Sequence, residues 1–202
     1  MKIGIDFDNT IVSYDKLFFD VASGLNIIPN NIIKTKISVR DYLRKKNQND
    51  IWTSIQGIVY GEKMIEADIY PGFVDFIKSF QEKKIDFCII SHKTQYPFVG
   101  KKIDLHKCAR NWIKKFLYNE ASQLIQDENI FFEISKELKI ERIASENCDI
   151  FIDDLPEILQ MKIFPVTTKK ILFDPNTSYS DGELKSFSSW SEIKNELLKN
   201  VL

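Results

Sequence analysis

The first ten residues set the tightest limit on how this chain can fold. Ile3, Ile5 and Phe7 are β-formers with no helix-start signal before them, so residues 2–7 read as a strand. The strand runs straight into Asp8-Asn9-Thr10, a polar turn. A short apolar run that stops in polar residues is how a buried parallel strand presents its carboxyl end. Asp6 and Asp8 lie two apart, and on a strand that spacing aims both carboxylates to one side. Two crowded negative charges are costly unless a cation or a proton comes between them.

Downstream, the apolar period changes. Leu17, Phe18, Val21, Ala22 and Leu25 recur at helical spacing, and Ile51, Trp52, Ile55, Ile58 and Val59 do so more cleanly. Residues 14–68 therefore read as a small helical subdomain with breaks at Asn30-Asn31 and 47–50. Tyr70-Pro71-Gly72 punctuates the chain, and a helix with Phe73, Ile77 and Phe80 inward follows. Further strands are expected at 85–90, 130–132, 150–152 and 170–173. Helices are expected along 105–117, at 137–147, after Pro156 and from Ser191 onward. The stretch 174–189 is rich in Ser, Asn, Asp and Gly and reads as a loop. Strands alternating with helices call for an α/β fold, a parallel sheet covered on both faces.

In such sheets the ligand crevice lies at the carboxyl ends of the strands. Asp6 and Asp8 end the first strand, Ser91 the second, and Asp153 and Asp154 the fourth, so the topology gathers them at one edge. Up to four carboxylates with only oxygen donors suit a hard divalent cation such as Mg²⁺, which keeps several waters and binds substrate phosphate. The metal would also let a carboxylate approach an anionic phosphoryl group. Taken singly, each residue has a plainer reading. The aspartates could cap turns or the following helix, and Ser91 could cap its strand. His92 and Lys93 follow Ser91 and either line the pocket or sit in a loop. Lys136 and Lys139 lie near the start of the helix before the fourth strand, where a solvated face is the plainer reading.

The net charge of −1, from 28 basic and 29 acidic residues, gives no footprint for a nucleic acid polymer or an anionic membrane. No segment approaches the ~20 apolar residues of a membrane span. Cys88, Cys108 and Cys148 are odd in number and widely spaced, which reads as reduced thiols and a cytoplasmic protein. Cys108 and His106 have no second His/Cys pair to make a metal site. Trp52, Trp112 and Trp190 read as packing residues.

The segments IGIDFDNT, IISHK, SKELKI and IFIDDL resemble, in order, the four motifs of the haloacid dehalogenase-like superfamily. Tyr70-Pro71-Gly72 resembles the turn by which its members return from a helical cap. The resemblance spans residues 3–155 and implies a Rossmann-like three-layer core at 1–13 and 69–202 with a cap at 14–68. It implies that Asp6 is the nucleophile and Asp8 the general acid and base. Ser91 would hydrogen-bond the phosphoryl group, with Asn9, Thr10 and His92 as further substrate contacts. A lysine would neutralise its charge. Lys139 is favoured over Lys136, because in related sequences a lysine precedes the same Ile-x-x-Ile run. The Mg²⁺ ligands would be Asp6, the backbone carbonyl of Asp8 and an acid from Asp153-Asp154, with Asp153 preferred. Superfamily dehalogenases generally lack the second aspartate of the first motif, so Asp8 favours phosphoryl chemistry.

The expected activity is hydrolysis of a small phosphate monoester, a sugar phosphate or a nucleoside monophosphate, by a monomer or homodimer. The cap would close over the site, exclude water and select the leaving group. A phospho-receiver domain uses similar residues, but it carries its acid pair early and has no long insertion after its first strand. A catalytically silent binder of a phosphorylated ligand is the third reading.

Overall fold

The computed structural model describes residues 1–83, 85–118 and 123–201. The chain forms two compact units. Unit 1 comprises Met1–Ile11, Ile69–His92 and Leu117–Leu202, and unit 2 comprises Val12–Asp68 and Lys93–Phe116. Residues 93–116, which the sequence reading groups with the core, thus fall with the helical segment. Periodicity marks the buried face of a helix but not what covers it.

Unit 1 is built on a six-stranded parallel sheet. Its strands are β1 (Lys2–Ile5), β4 (Asp86–His92), β5 (Ile130–Glu133), β6 (Ile150–Asp153), β7 (Lys169–Phe173) and β8 (Ser186–Phe187). Their order is β5-β4-β1-β6-β7-β8, and every neighbouring pair is parallel. β1 is central, flanked by the strands that end in Ser91-His92 and in Asp153. Gly4 permits the close packing there, since a Cβ at that position would lie 2.6 Å from Phe151 Cδ2 and 2.8 Å from Cys148 Sγ.

β-strand alternation divides the core into two layers. On one face Cys88, Ile90, Phe151 and Leu172 pack against Ile140 and Ile143 of α6 (Lys136–Ser145) and Leu159 of α7 (Pro156–Leu159). On the other, Phe73 and Phe76 of α4 (Phe73–Gln81) pack with Phe87, Phe173 and Trp190, the first residue of α8 (Trp190–Val201). Ring centroids there stand 4.8–5.8 Å apart. This is the three-layer α/β arrangement expected from the sequence. One expectation fails, because β8 lies inside the segment read as a loop. Its two residues are held by parallel pairing to β7 rather than by any apolar run, and Asp174 N–H donates to Phe187 O at 2.8 Å.

Unit 2 is helical. It holds α1 (Asp15–Gly24), α2 (Lys36–Lys45), α3 (Asn49–Tyr60) and α5 (Leu105–Phe116). Thr35 caps α2, its hydroxyl accepting from Ser38 N–H at 3.1 Å. The short strands β2 (Val12–Ser13) and β3 (Asp68–Ile69) pair with one another where the chain leaves and rejoins unit 1. Trp112 donates from its indole to the carbonyl of Ala67 at 2.8 Å, which fixes α5 within this unit.

Candidate active site

The site lies within unit 1, at the carboxyl edge of β1, β4 and β6. The β1–β6 ladder carries on one residue past β1, where Asp6 N–H donates to Ile152 O at 2.9 Å. That bond brings Asp6 level with Asp153. The chain then turns. Ile11 N–H donates to Phe7 O at 3.1 Å, and Asn9 sits at φ 63°. Asparagine is among the few non-glycine residues that tolerate this left-handed conformation. Asp8 is half-buried and Thr10 fully buried in the turn.

Between Asp6 and Asp153 lies Lys139. Its Nζ is 2.6 Å from Asp6 Oδ1 and 2.6 Å from Asp153 Oδ2, and all three side chains are buried. Ser135 sets up this reach by capping α6, its hydroxyl accepting from Leu138 N–H at 3.2 Å. Lys136, one turn earlier, pairs instead with Glu157 at the surface. Burial alone would lower the lysine's pKa, but Asp153 and Asp6 outweigh it and hold the ammonium above its ordinary range. Burial is also the largest influence on Asp6. It pushes the carboxyl up, Lys139 opposes it, and Asp153 and Asp8 add to the rise, leaving it at about 6.

One carboxylate oxygen each from Asp6, Asp153 and Asp154 lie within 4.8 Å of one another. Thr10 Oγ1 links two of these acids, at 3.5 Å from Asp6 Oδ2 and 3.4 Å from Asp154 Oδ1. Asp153 Oδ1 accepts from Leu155 N–H at 2.9 Å. The Lys139 ammonium engages two of these three carboxylates in a buried setting. An all-oxygen donor set of this kind fits a hard divalent cation. Ser91, at the end of β4, is 1 % exposed, and its hydroxyl has no hydrogen-bond partner. A buried hydroxyl without a partner is uncommon in a folded chain, and an acceptor oxygen on a ligand is one group that would satisfy it.

His92 is solvent-exposed on the next residue and level with Glu133. Partial burial of its ring, then the charge of Lys139, push its imidazole below the ordinary value. The structure thus gathers Asp6, Thr10, Lys139, Asp153 and Asp154 through direct contacts or shared proximity, with His92 at the exposed rim. The sequence reading gave Trp190 no role beyond packing. Its indole N–H donates to Thr10 O at 3.0 Å and pins the turn from below. No local motif signals a contact between residues 180 apart.

No protein-family model matches the chain, and no curated protein does. Solved structures do. A β-phosphoglucomutase from a hyperthermophilic Pyrococcus strain aligns at TM-score 0.58 with 14% identity, covering 99% of this chain and 97% of that one. The fold is that of the haloacid dehalogenase-like hydrolases. A hydrolase of this superfamily from Deinococcus radiodurans, with bound phosphate and sodium, aligns at 0.59 with 13% identity, covering 100% and 96%. The superfamily hydrolase YfnB from Bacillus subtilis, bound to magnesium, aligns at 0.60 with 13% identity and 97% coverage of each chain. Among the described residues no helix is long and apolar enough to cross a membrane.

Proposed function

We propose that the chain is a magnesium-dependent phosphatase of the haloacid dehalogenase-like superfamily, acting on a small phosphate monoester. The observation that carries this reading is the buried ammonium of Lys139 bonded to both Asp6 and Asp153. A third carboxylate lies close to Asp6 and Asp153, and Ser91, whose hydroxyl has no partner, ends the strand paired to β1.

Asp6 is the nucleophile. At neutral pH its carboxyl, poised at about 6, is mostly ionised, and Lys139 holds Oδ1, leaving Oδ2 for attack. Attack forms the Oδ–P bond and breaks the bond from phosphorus to the leaving oxygen. Asp8 gives that oxygen a proton. Asp8 then takes a proton from water, whose oxygen displaces Asp6 and releases inorganic phosphate. Ser91 Oγ donates to a phosphoryl oxygen throughout, which satisfies its own buried hydroxyl. Asp6, the Asp8 carbonyl and Asp153 or Asp154 would hold Mg²⁺, which would supply charge neutralisation for the phosphoryl group. Asn9, Thr10 and His92 complete the substrate contacts, and the helical unit is the cap that selects the leaving group. Sugar phosphates and nucleoside monophosphates are the esters to try first.

The test is phosphate release from a panel of such esters with Mg²⁺, wild type against Asp6→Asn. Wild type should turn over repeatedly, stop with a chelator and recover with Mg²⁺, while Asp6→Asn releases none. Turnover by Asp6→Asn at the wild-type rate would remove the nucleophile from this reading.

A further inference from the structure

Unit 2 holds a cavity that the phosphatase chemistry does not use. Its volume is about 350 Å³, and every residue that lines it belongs to unit 2. That volume lies within the range of pockets that take small molecules, about 300–1,000 Å³. The sequence of α1 builds one wall. Leu17, Val21 and Leu25 recur every fourth residue and form an apolar stripe, and Ile58 of α3 adds a fourth apolar side chain. Leu25 is 50 % exposed, so the packing of the unit does not close over this stripe.

Lys16, Asp20 and Gly24 each precede one of the α1 residues and form a second stripe beside the first. Gly24 ends that stripe without a side chain. A Cβ at this position would have no neighbour within 4 Å. Its φ is not positive, so the backbone does not require a glycine there. Glycine at the end of α1 therefore keeps the space open.

The charges of the lining are arranged unevenly. Lys16 Nζ pairs with Asp20 at 2.5 Å, and Lys63 Nζ pairs with Glu66 at 2.7 Å. Both ammonium groups are thus held by carboxylates three or four residues away. Asp68 is the third acid of the lining, is exposed, and has no ion pair among the described residues. Asp20 first, and then Asp68 and Glu66, hold the Lys16 ammonium above its ordinary value, so all three acids act on one neighbourhood. The charge that complements this lining is positive, and the surface beside it is apolar.

We propose that the cavity of unit 2 binds an amphipathic organic cation, a primary amine carried on an apolar body. Asp68 is its counter-ion, and Leu17, Val21, Leu25 and Ile58 surround its carbon skeleton. This site does not rest on the phosphatase reading.

Calorimetry on the full-length protein tests it, with octylamine, octanol and octanoate as probes that share a chain length and differ in charge. Wild type should bind octylamine tightest, by about fivefold over octanol, the upper end of what one exposed ion pair contributes. Octanoate should bind weakest. Asp68→Asn should bring octylamine and octanol level. Gly24→Leu should weaken octylamine by roughly tenfold or more by filling the cavity, and leucine is the better helix former, so the helix should hold. Thermal unfolding checks that this variant is folded; if it is not, the ratio in Asp68→Asn decides alone. Octanol or octanoate binding as tightly as octylamine to wild type overturns the proposal, as does binding of none of the three. A preference for octylamine that survives Asp68→Asn overturns it too. So does octylamine binding undiminished in a folded Gly24→Leu, which would put the amine on acids elsewhere, such as those of unit 1.

Discussion

Trp190 opens the last helix, yet its indole N–H is hydrogen-bonded to the carbonyl of Thr10 in the turn that follows the first strand. The ring is fully buried against Phe73, Phe76 and Phe173, so the bond is rigid at both ends. Trp190→Phe keeps most of the apolar packing and leaves the Thr10 carbonyl without its donor. An unsatisfied buried carbonyl costs about 1–3 kcal/mol. Urea unfolding should show a loss of that size, and kcat for phosphate release should fall as the turn carrying Asp8 loosens. An unchanged midpoint would mean the bond contributes nothing.

Lys139 and Lys136 lie on one helix three residues apart and should differ sharply when removed. Lys139→Ala leaves Asp6 and Asp153 facing each other in a dry site, and breaking a buried pair in this way costs roughly 3–5 kcal/mol. Lys136 is 41 % exposed in its pair with Glu157, and exposed pairs contribute about 0–1 kcal/mol. Chemical denaturation of the two variants checks the gap, and phosphate release should be lost only in the first. High Mg²⁺ should recover part of the Lys139→Ala stability by replacing the missing positive charge.

The protonation of Asp6 predicts a pH dependence whose sign is fixed. Its carboxyl rises from an ordinary 3.8 to about 6 in the folded chain without metal. Between those values the folded state holds a proton that the unfolded state has released, so stability falls as pH rises through this window. Unfolding midpoints of chelated protein from pH 4 to 7, against Asp6→Asn, should show the extra slope in wild type alone. Mg²⁺ competes with the same proton, so its affinity should climb with pH up to about 6 and then level off.

Gly4→Ala tests the packing beneath the site. The new methyl meets an aromatic ring edge and a thiol at distances that real side chains do not adopt. Overpacking of this kind costs typically about 1–3 kcal/mol. Because β1 carries Asp6, the variant should lose phosphate release more steeply than it loses stability. Full activity in a destabilised Gly4→Ala would separate the strand's position from the chemistry.

The strands that build the site were legible because they are short apolar runs ending in acids or serine. Ile150–Asp153 and its acidic end read directly from the residues. β8 was not legible, because Ser186-Phe187 has no pattern of its own and exists through pairing with Leu172 and Phe173. The amphipathic period of Leu105–Phe116 gave the helix and its inward face, but not its place in the helical unit, since a period carries no information about the partner. Lys136 and Lys139 look alike to any reading of spacing. The Ile-x-x-Ile run after Lys139 favours it by resemblance, and the path of α6 gives the physical reason, with Lys136 at the surface and Lys139 at two carboxylates. For Ser91 the residues alone show only the end of a strand and the resemblance supplies the phosphoryl contact, because a hydroxyl left without a partner is a property of its surroundings.

The contact between Lys139 and Asp6 joins residues 133 apart in the chain. At a synthesis rate of about 5–20 residues per second, the N-terminal aspartate waits roughly 7–27 s on the ribosome before its counter-ion has been made. Throughout that interval the central strand of the sheet has no neighbour on its β6 side. A nascent chain therefore carries an apolar strand whose backbone groups on that side stay unpaired, and the sheet of unit 1 closes around Asp6 only after β6 is made.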